Sequence, residues 1–235
     1  SSAASDVYKR QVAYSPEHLA KLGKAAAQKD SAFSLEDRVG LVSDAFTLAQ
    51  AGYSKTSGGL ALMHALRGDN SSLVNTAAAL NLGKLASVWW EQPQSVRDGI
   101  NRFRADVFGP MARELTFEFG ANDSSELREL RETVITAAAA GDTWTLDEIR
   151  RRFAPLQEHG DYSLIHPDLL RTVLSQAVKH GGEAEYETVM GVYRAPPTPA
   201  HKTSAMVALG TTQDAALTQR TIEFVFSGQV KTQDF

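Results

Sequence analysis

The sequence predicts an all-α protein, an array of short paired helices with no sheet. Three observations carry this. Apolar residues recur at helical spacing along nearly the whole chain, glycine or proline interrupts each stripe after a few turns, and no run alternates with period two.

The elements follow in order. Ser15-Pro16-Glu17 is an N-cap with proline at the first helical position and an acid in the first turn, ahead of Leu19, Leu22 and Ala26. Ser34 opens a second helix, with Asp37 three residues on as a variant capping box. Leu35, Val39, Val42, Phe46 and Ala49 line one face of it, and Leu41, Ala45 and Leu48 another. A helix apolar on two faces packs between neighbours. Gly52 ends it. Leu60, Met63 and Leu66 give a short helix closed by Gly68. Leu73, Ala77, Leu80 and Val88 give the apolar stripe of a longer one, closed before Pro93. Val96, Ile100, Phe103, Val107 and Met111 mark a fifth, with a kink expected at Pro110.

Leu127, Leu130, Val134 and Ala138 run to Gly141, and Thr145 with Glu148 reads as a second capping box ahead of Ile149 and Phe153. Pro167-Asp168 starts a helix through Leu170, Val173, Leu174 and Ala177 that stops at Gly181-Gly182. Tyr186, Val189, Met190 and Tyr193 follow, then a helix ending at Gly210 and one through Leu217, Phe224 and Val225 to Gly228. About eleven helices with short breaks imply antiparallel neighbours, and their unequal lengths suit a degenerate HEAT- or armadillo-like superhelix better than a regular repeat. Residues 1–12 carry no element signature and read as a leader, disordered or left over from cloning. The domain is placed over residues 13–235, and Thr232-Gln233-Asp234-Phe235 looks like the first turn of a further helix.

Composition narrows the function. Of 235 residues 43% are hydrophobic, enough for a sizeable core, and 24 basic against 28 acidic residues leave a charge of −4. That balance gives no electrostatic reason to expect nucleic acid or an anionic membrane as partner. There is no cysteine, which excludes disulfides and thiolate chemistry and leans toward a reducing compartment, the cytoplasm, with the secretory pathway as the alternative. No apolar run approaches the roughly 20 residues that span a bilayer. The Asn70 and Asn122 sequons read as chance matches in such a compartment.

No catalytic centre is evident. His18, His64, His159, His166, His180 and His201 form no H-E-x-x-H and no paired spacing on one helix face, and no nucleophile elbow, P-loop or G-x-G-x-x-G occurs. His180 with Glu183 comes nearest to a metal spacing, but the glycines between them read as a helix C-cap. Glu129 and Glu132 read as a solvated face. Arg150-Arg151-Arg152 reads as cations complementing the end of a helix rather than as an anion site. Trp89-Trp90 is the most unusual feature. Adjacent helical residues point about 100° apart, so one ring is expected in the core and the other at least partly exposed, free to pack a loop or touch a ligand.

Ser34 to Phe46, followed by Leu48-Ala49-Gln50-Ala51-Gly52, resembles the opening of the C-terminal domain of gluzincin zinc aminopeptidases, the aminopeptidase N and puromycin-sensitive type. Tyr14-Ser15-Pro16-Glu17 precedes it as in that family. Ala140-Gly141-Asp142 with Arg152-Phe153, His166-Pro167-Asp168-Leu169-Leu170-Arg171, Ala208-Leu209-Gly210 with Gln219-Arg220, and Gly228 with Gln233-Asp234 extend the likeness over residues 8–235, all in the family's order.

The resemblance implies a bowl of HEAT-like helix pairs that closes over a catalytic domain of the same polypeptide and encloses the chamber for a peptide substrate, and that continues beyond this chain's last residue. Zinc, its ligands and the catalytic glutamate lie upstream in that family, so it implies no catalytic residue, no metal ligand and no cofactor in this chain. It places Trp89 and Trp90 on the chamber wall. It also places Thr211 where some relatives carry a basic residue for a peptide's terminal carboxylate, a charge that threonine lacks, as suits an enzyme indifferent to peptide length. The alternative reading is an independent HEAT-like scaffold for a protein or peptide.

Overall fold

The computed structural model describes residues 11–28 and 30–230. Most of the 1–12 leader, and the turn expected over 232–235, lie outside them. The described chain is helical throughout, with no strand. It divides into two compact units. The first comprises residues up to Thr116 together with Asn122–Asp142; the second comprises Phe117–Ala121 together with the chain from Thr143.

The first unit holds α1 (Pro16–Ala26), α2 (Leu35–Gln50), α3 (Thr56–Ala65), α4 (Ser72–Val88), α5 (Gln94–Leu115) and α6 (Ser125–Ala138). Local chemistry sets their starts. Ser15 Oγ accepts the His18 amide, and Ser34 and Asp37 exchange reciprocal bonds of 3.1 and 2.9 Å, the capping box read from the sequence. Helices pack on the next and the next but one: α1 on α3, α2 on α3 and α4, α4 on α6, and α5 on α6. Gly58 lies against Pro16 and Leu19, and Gly23 against Leu62 and Ala65, so α1 and α3 run the same way. The core gathers Leu19, Val42, Phe46, Leu62, Met63, Leu82, Phe108, Val134 and Ile135. Arg38–Asp69 at 2.9 Å and Arg131–Asp123 at 2.7 Å tie loops to helices within it.

α4 corrects the expected stripe. Leu73, Leu80 and Val88 are 53%, 56% and 71% exposed, while Val74, Ala78 and Leu82 are buried. The helix is apolar on two faces, and its neighbours cover the one offset by a residue.

The second unit holds α7 (Thr143–His159), a 3-10 turn (Pro167–Leu169), α8 (Leu170–His180), α9 (Glu183–Arg194), α10 (Pro199–Leu209) and α11 (Ala215–Phe226). α8 packs on α7, α9 and α10, and α9 on α10. Tyr186 Oη and Thr221 Oγ1, 2.9 Å apart, link α9 to α11. The core gathers Ile149, Phe153, Leu169, Val173, Leu174, Tyr186, Met190 and Leu209.

Two expectations fail here. Thr145 is not a cap: α7 already begins at Thr143, and Thr145 is fully buried inside it. The Glu148 carboxylate instead meets Arg151 at 3.0 Å and also pairs with Arg152. Nor does the arginine run end a helix, because α7 continues through Pro155 to His159. Arg152 is buried, paired with Glu118 at 2.6 Å and stacked 4.4 Å above the Phe117 ring, so it belongs to the core rather than to a helix terminus.

Candidate functional site

Trp89 closes α4. Its backbone has left helical geometry, at φ −94 and ψ 23, and its amide donates to the Leu85 carbonyl at 3.1 Å. The expectation of one buried and one exposed ring is met only in its second half: Trp89 is half-buried, and Trp90, past the helix end, is 66% exposed.

The Trp89 side chain lines a cleft of about 360 Å³ in the first unit. Phe46 and Gln50 of α2, Thr56 at the start of α3, and Lys84 and Leu85 of α4 supply the rest of its wall. Asn81 also borders it, but its amide donates back to the Ala77 carbonyl at 2.8 Å. Lys84 is exposed and makes no ion pair among the described residues. A cleft bordered by Trp89, Phe46, Leu85 and an exposed lysine has the composition to receive an apolar group that carries a carbonyl or carboxylate. The outward stripe of Leu73, Leu80 and Val88 runs along α4 to this cleft.

Thr211 lies in the second unit, after α10. Its Oγ1 is 2.8 Å from the Ser175 carbonyl and 2.7 Å from that of Ala208, so its single proton is engaged within the chain. The rarity of adjacent tryptophans marks them in the sequence, whereas Phe46 and Lys84 carry no such mark as their partners. Phe46 is read as a core residue on its helical spacing, and nothing local in the sequence joins it to Trp89.

Among the described residues no three His, Cys, Asp or Glu side chains are grouped so as to hold a metal ion, and no helix is long and apolar enough to cross a membrane. His180 sits in the last turn of α8, where burial, then Lys179 and Arg150, hold its imidazole below the ordinary value. Glu183 opens α9 and lies 4.0 Å from Arg220.

Packed helices and an open cleft, with no strand among the described residues, define an all-helical domain. Residues 10–235 match the family model of the ERAP1-like C-terminal domain, and the chain belongs to that family. It is 31% identical over 223 residues to alanine/arginine aminopeptidase of Saccharomyces cerevisiae, covering 94% of this chain and 26% of that protein. Against "Aminopeptidase 2, mitochondrial" of the same yeast it is 30% identical, with 94% and 23% covered. Against aminopeptidase M1 of Arabidopsis thaliana it is 26% identical, with 90% and 25% covered. The chain thus spans about a quarter of the length of these relatives.

Proposed function

We propose that this chain is the non-catalytic domain of a zinc aminopeptidase, that it walls the chamber receiving the peptide, and that it takes part in opening and closing it. The observation that carries the reading is the family match over residues 10–235, together with relatives named as aminopeptidases. In this reading the metal, and the removal of N-terminal residues from peptides, belong to another part of the polypeptide, as the match to a C-terminal domain family suggests. This domain contributes surface and exclusion of water. Packing on the next and the next-but-one helix within each unit supports the HEAT-like description. The cysteine-free composition supports a cytoplasmic setting.

In this reading Trp89 and Trp90 touch substrate, Trp89 through its cleft and Trp90 from the open surface. Thr211 marks a position that meets the far end of a peptide without a charge to anchor its carboxylate.

The test is kinetic, in the longer polypeptide. Trp89→Ala should weaken turnover of long peptides roughly five- to tenfold while leaving dipeptide-like substrates near wild type, about 1 kcal/mol for one aromatic contact. The isolated chain should neither turn over a fluorogenic aminoacyl substrate nor retain zinc after dialysis. Turnover by the isolated chain, or equal losses on short and long substrates, would overturn the reading.

A further inference from the structure

Arg104 differs from the other sheltered arginines. Arg38, Arg131 and Arg152 expose 25%, 7% and 5% of their side chains, and each meets a carboxylate oxygen at 2.9 Å or less. Arg104, half-buried on α5, meets none among the described residues. Its Nε, like that of Arg38, is sealed from solvent without a hydrogen bond, but Arg38 has Asp69 on its terminal nitrogen and Arg104 has no such partner. Burial pushes its guanidinium below the ordinary value, and no carboxylate offsets this.

The surrounding sequence explains the missing counter-ion. One turn either side on α5 stand Ile100, Asn101, Val107 and Phe108, none of them acidic. α4, packed alongside, contains no Asp or Glu. α6 runs antiparallel to α5, since Arg131 Nε donates to the Leu115 carbonyl at one end and Gly141 abuts Asn101 at the other. At the level of Arg104 the end of α6 and the turn after it therefore present Ala137 to Ala140, and the nearby Asp142 carboxylate is taken by Arg113 at 2.6 Å. A half-buried guanidinium with no counter-ion bears part of the cost of desolvation, and its terminal nitrogens have the forked geometry that grips a carboxylate.

We propose that Arg104 is a docking point for a carboxylate that this domain does not itself provide, an acidic side chain of the longer polypeptide that packs over α5. The proposal takes from the family only the existence of further polypeptide, not the peptide-chamber reading, and either can fail without the other.

The probe is glutarate. The thermal midpoint of the 235-residue chain is measured in sodium glutarate and in sodium chloride at matched ionic strength. Wild type should gain on the order of 2 °C in glutarate, Arg104→Lys less, and Arg104→Met nothing. Arg104→Gln makes the same comparison should the methionine variant not fold. Equal responses of wild type and the uncharged variant overturn the proposal and leave a side chain that merely snorkels. In the longer polypeptide the glutarate gain should vanish, because the site is filled, and Arg104→Met should lower the midpoint. A glutarate gain that persists there overturns the same-polypeptide source and assigns the site to a small carboxylate ligand.

Discussion

Gly23→Ala tests the packing of α1 on α3. An alanine Cβ at Gly23 would stand 2.8 Å from the Ala65 Cβ, 3.0 Å from Leu62 Cδ1 and 3.3 Å from the Leu62 carbonyl oxygen. The first of these is fixed to backbone, so relief requires the two helices to separate. Replacing a helical glycine gains about 1 kcal/mol of propensity, whereas overpacking costs about 1–3 kcal/mol, so the net is a loss of about 1 kcal/mol. Gly83→Ala in α4 is the control: nothing lies within 4 Å of its added Cβ, and it should gain up to about 1 kcal/mol. The two variants should differ by about 2 kcal/mol, which is roughly 4–8 °C in midpoint for a chain of this size. Denaturation followed by far-ultraviolet circular dichroism measures both. Equal stabilisation by the two substitutions would refute the close approach of α1 to α3.

Four further outcomes follow from the structure. In acrylamide quenching, Trp90→Phe should remove the most accessible part of the tryptophan emission and Trp89→Phe a less accessible part, with Trp144 emitting in both variants; the reverse order would contradict the cleft geometry. Arg152→Met should cost about 2 kcal/mol, and Arg152→Lys should rescue little, because an ammonium cannot serve Glu118, Glu148 and the Phe117 face together; urea midpoints decide this. Hydrogen bonding from Arg151, with further help from Arg152 and against some burial, holds the Glu148 carboxyl below the usual glutamate range. Its folded pKa is depressed, so its stabilisation is present above about pH 4.3 and lost as pH falls through the folded value. Glu148→Gln should flatten that part of the stability–pH curve. Thr211→Val, which removes the hydroxyl between the Ser175 and Ala208 carbonyls, should lower stability by about 1 kcal/mol in a thermal melt.

Two helix starts were legible because caps are local: Ser15 and Ser34 each accept an amide three residues on, and no distant residue is needed to see why. The buried face of α4 was not legible. Two apolar stripes compete on that helix, and the choice between Leu80 and Leu82 is made by α2 and α6, which lie far away in sequence. Arg152 escaped for the same reason, since its partners Phe117 and Glu118 stand more than thirty residues upstream. Thr145 looked like a cap because the pattern Thr-x-x-Glu can also lie inside a helix, with threonine buried and glutamate turned to its own arginines. At the candidate site the rarity of adjacent tryptophans was visible, but the partnership of Trp89 with Phe46 is a fact of tertiary packing.

The alternation of chain between the two units has a consequence for synthesis and dissection. Phe117–Ala121 belongs to the second unit although its flanking segments belong to the first. A ribosome therefore delivers the ring on which Arg152 stacks before it has made α6, the partner of α4 and α5. The first unit cannot be complete until Asp142 has emerged, and Phe117 waits on later residues for both Trp144 and Arg152. No single cut releases either unit whole. Ending a fragment at Thr116 strips α5 of α6, and starting one at Thr143 leaves Arg152 without its aromatic seat. A protease nick between Phe119 and Ala121 would test both attachments at once, and an insertion tag placed there would compete with them.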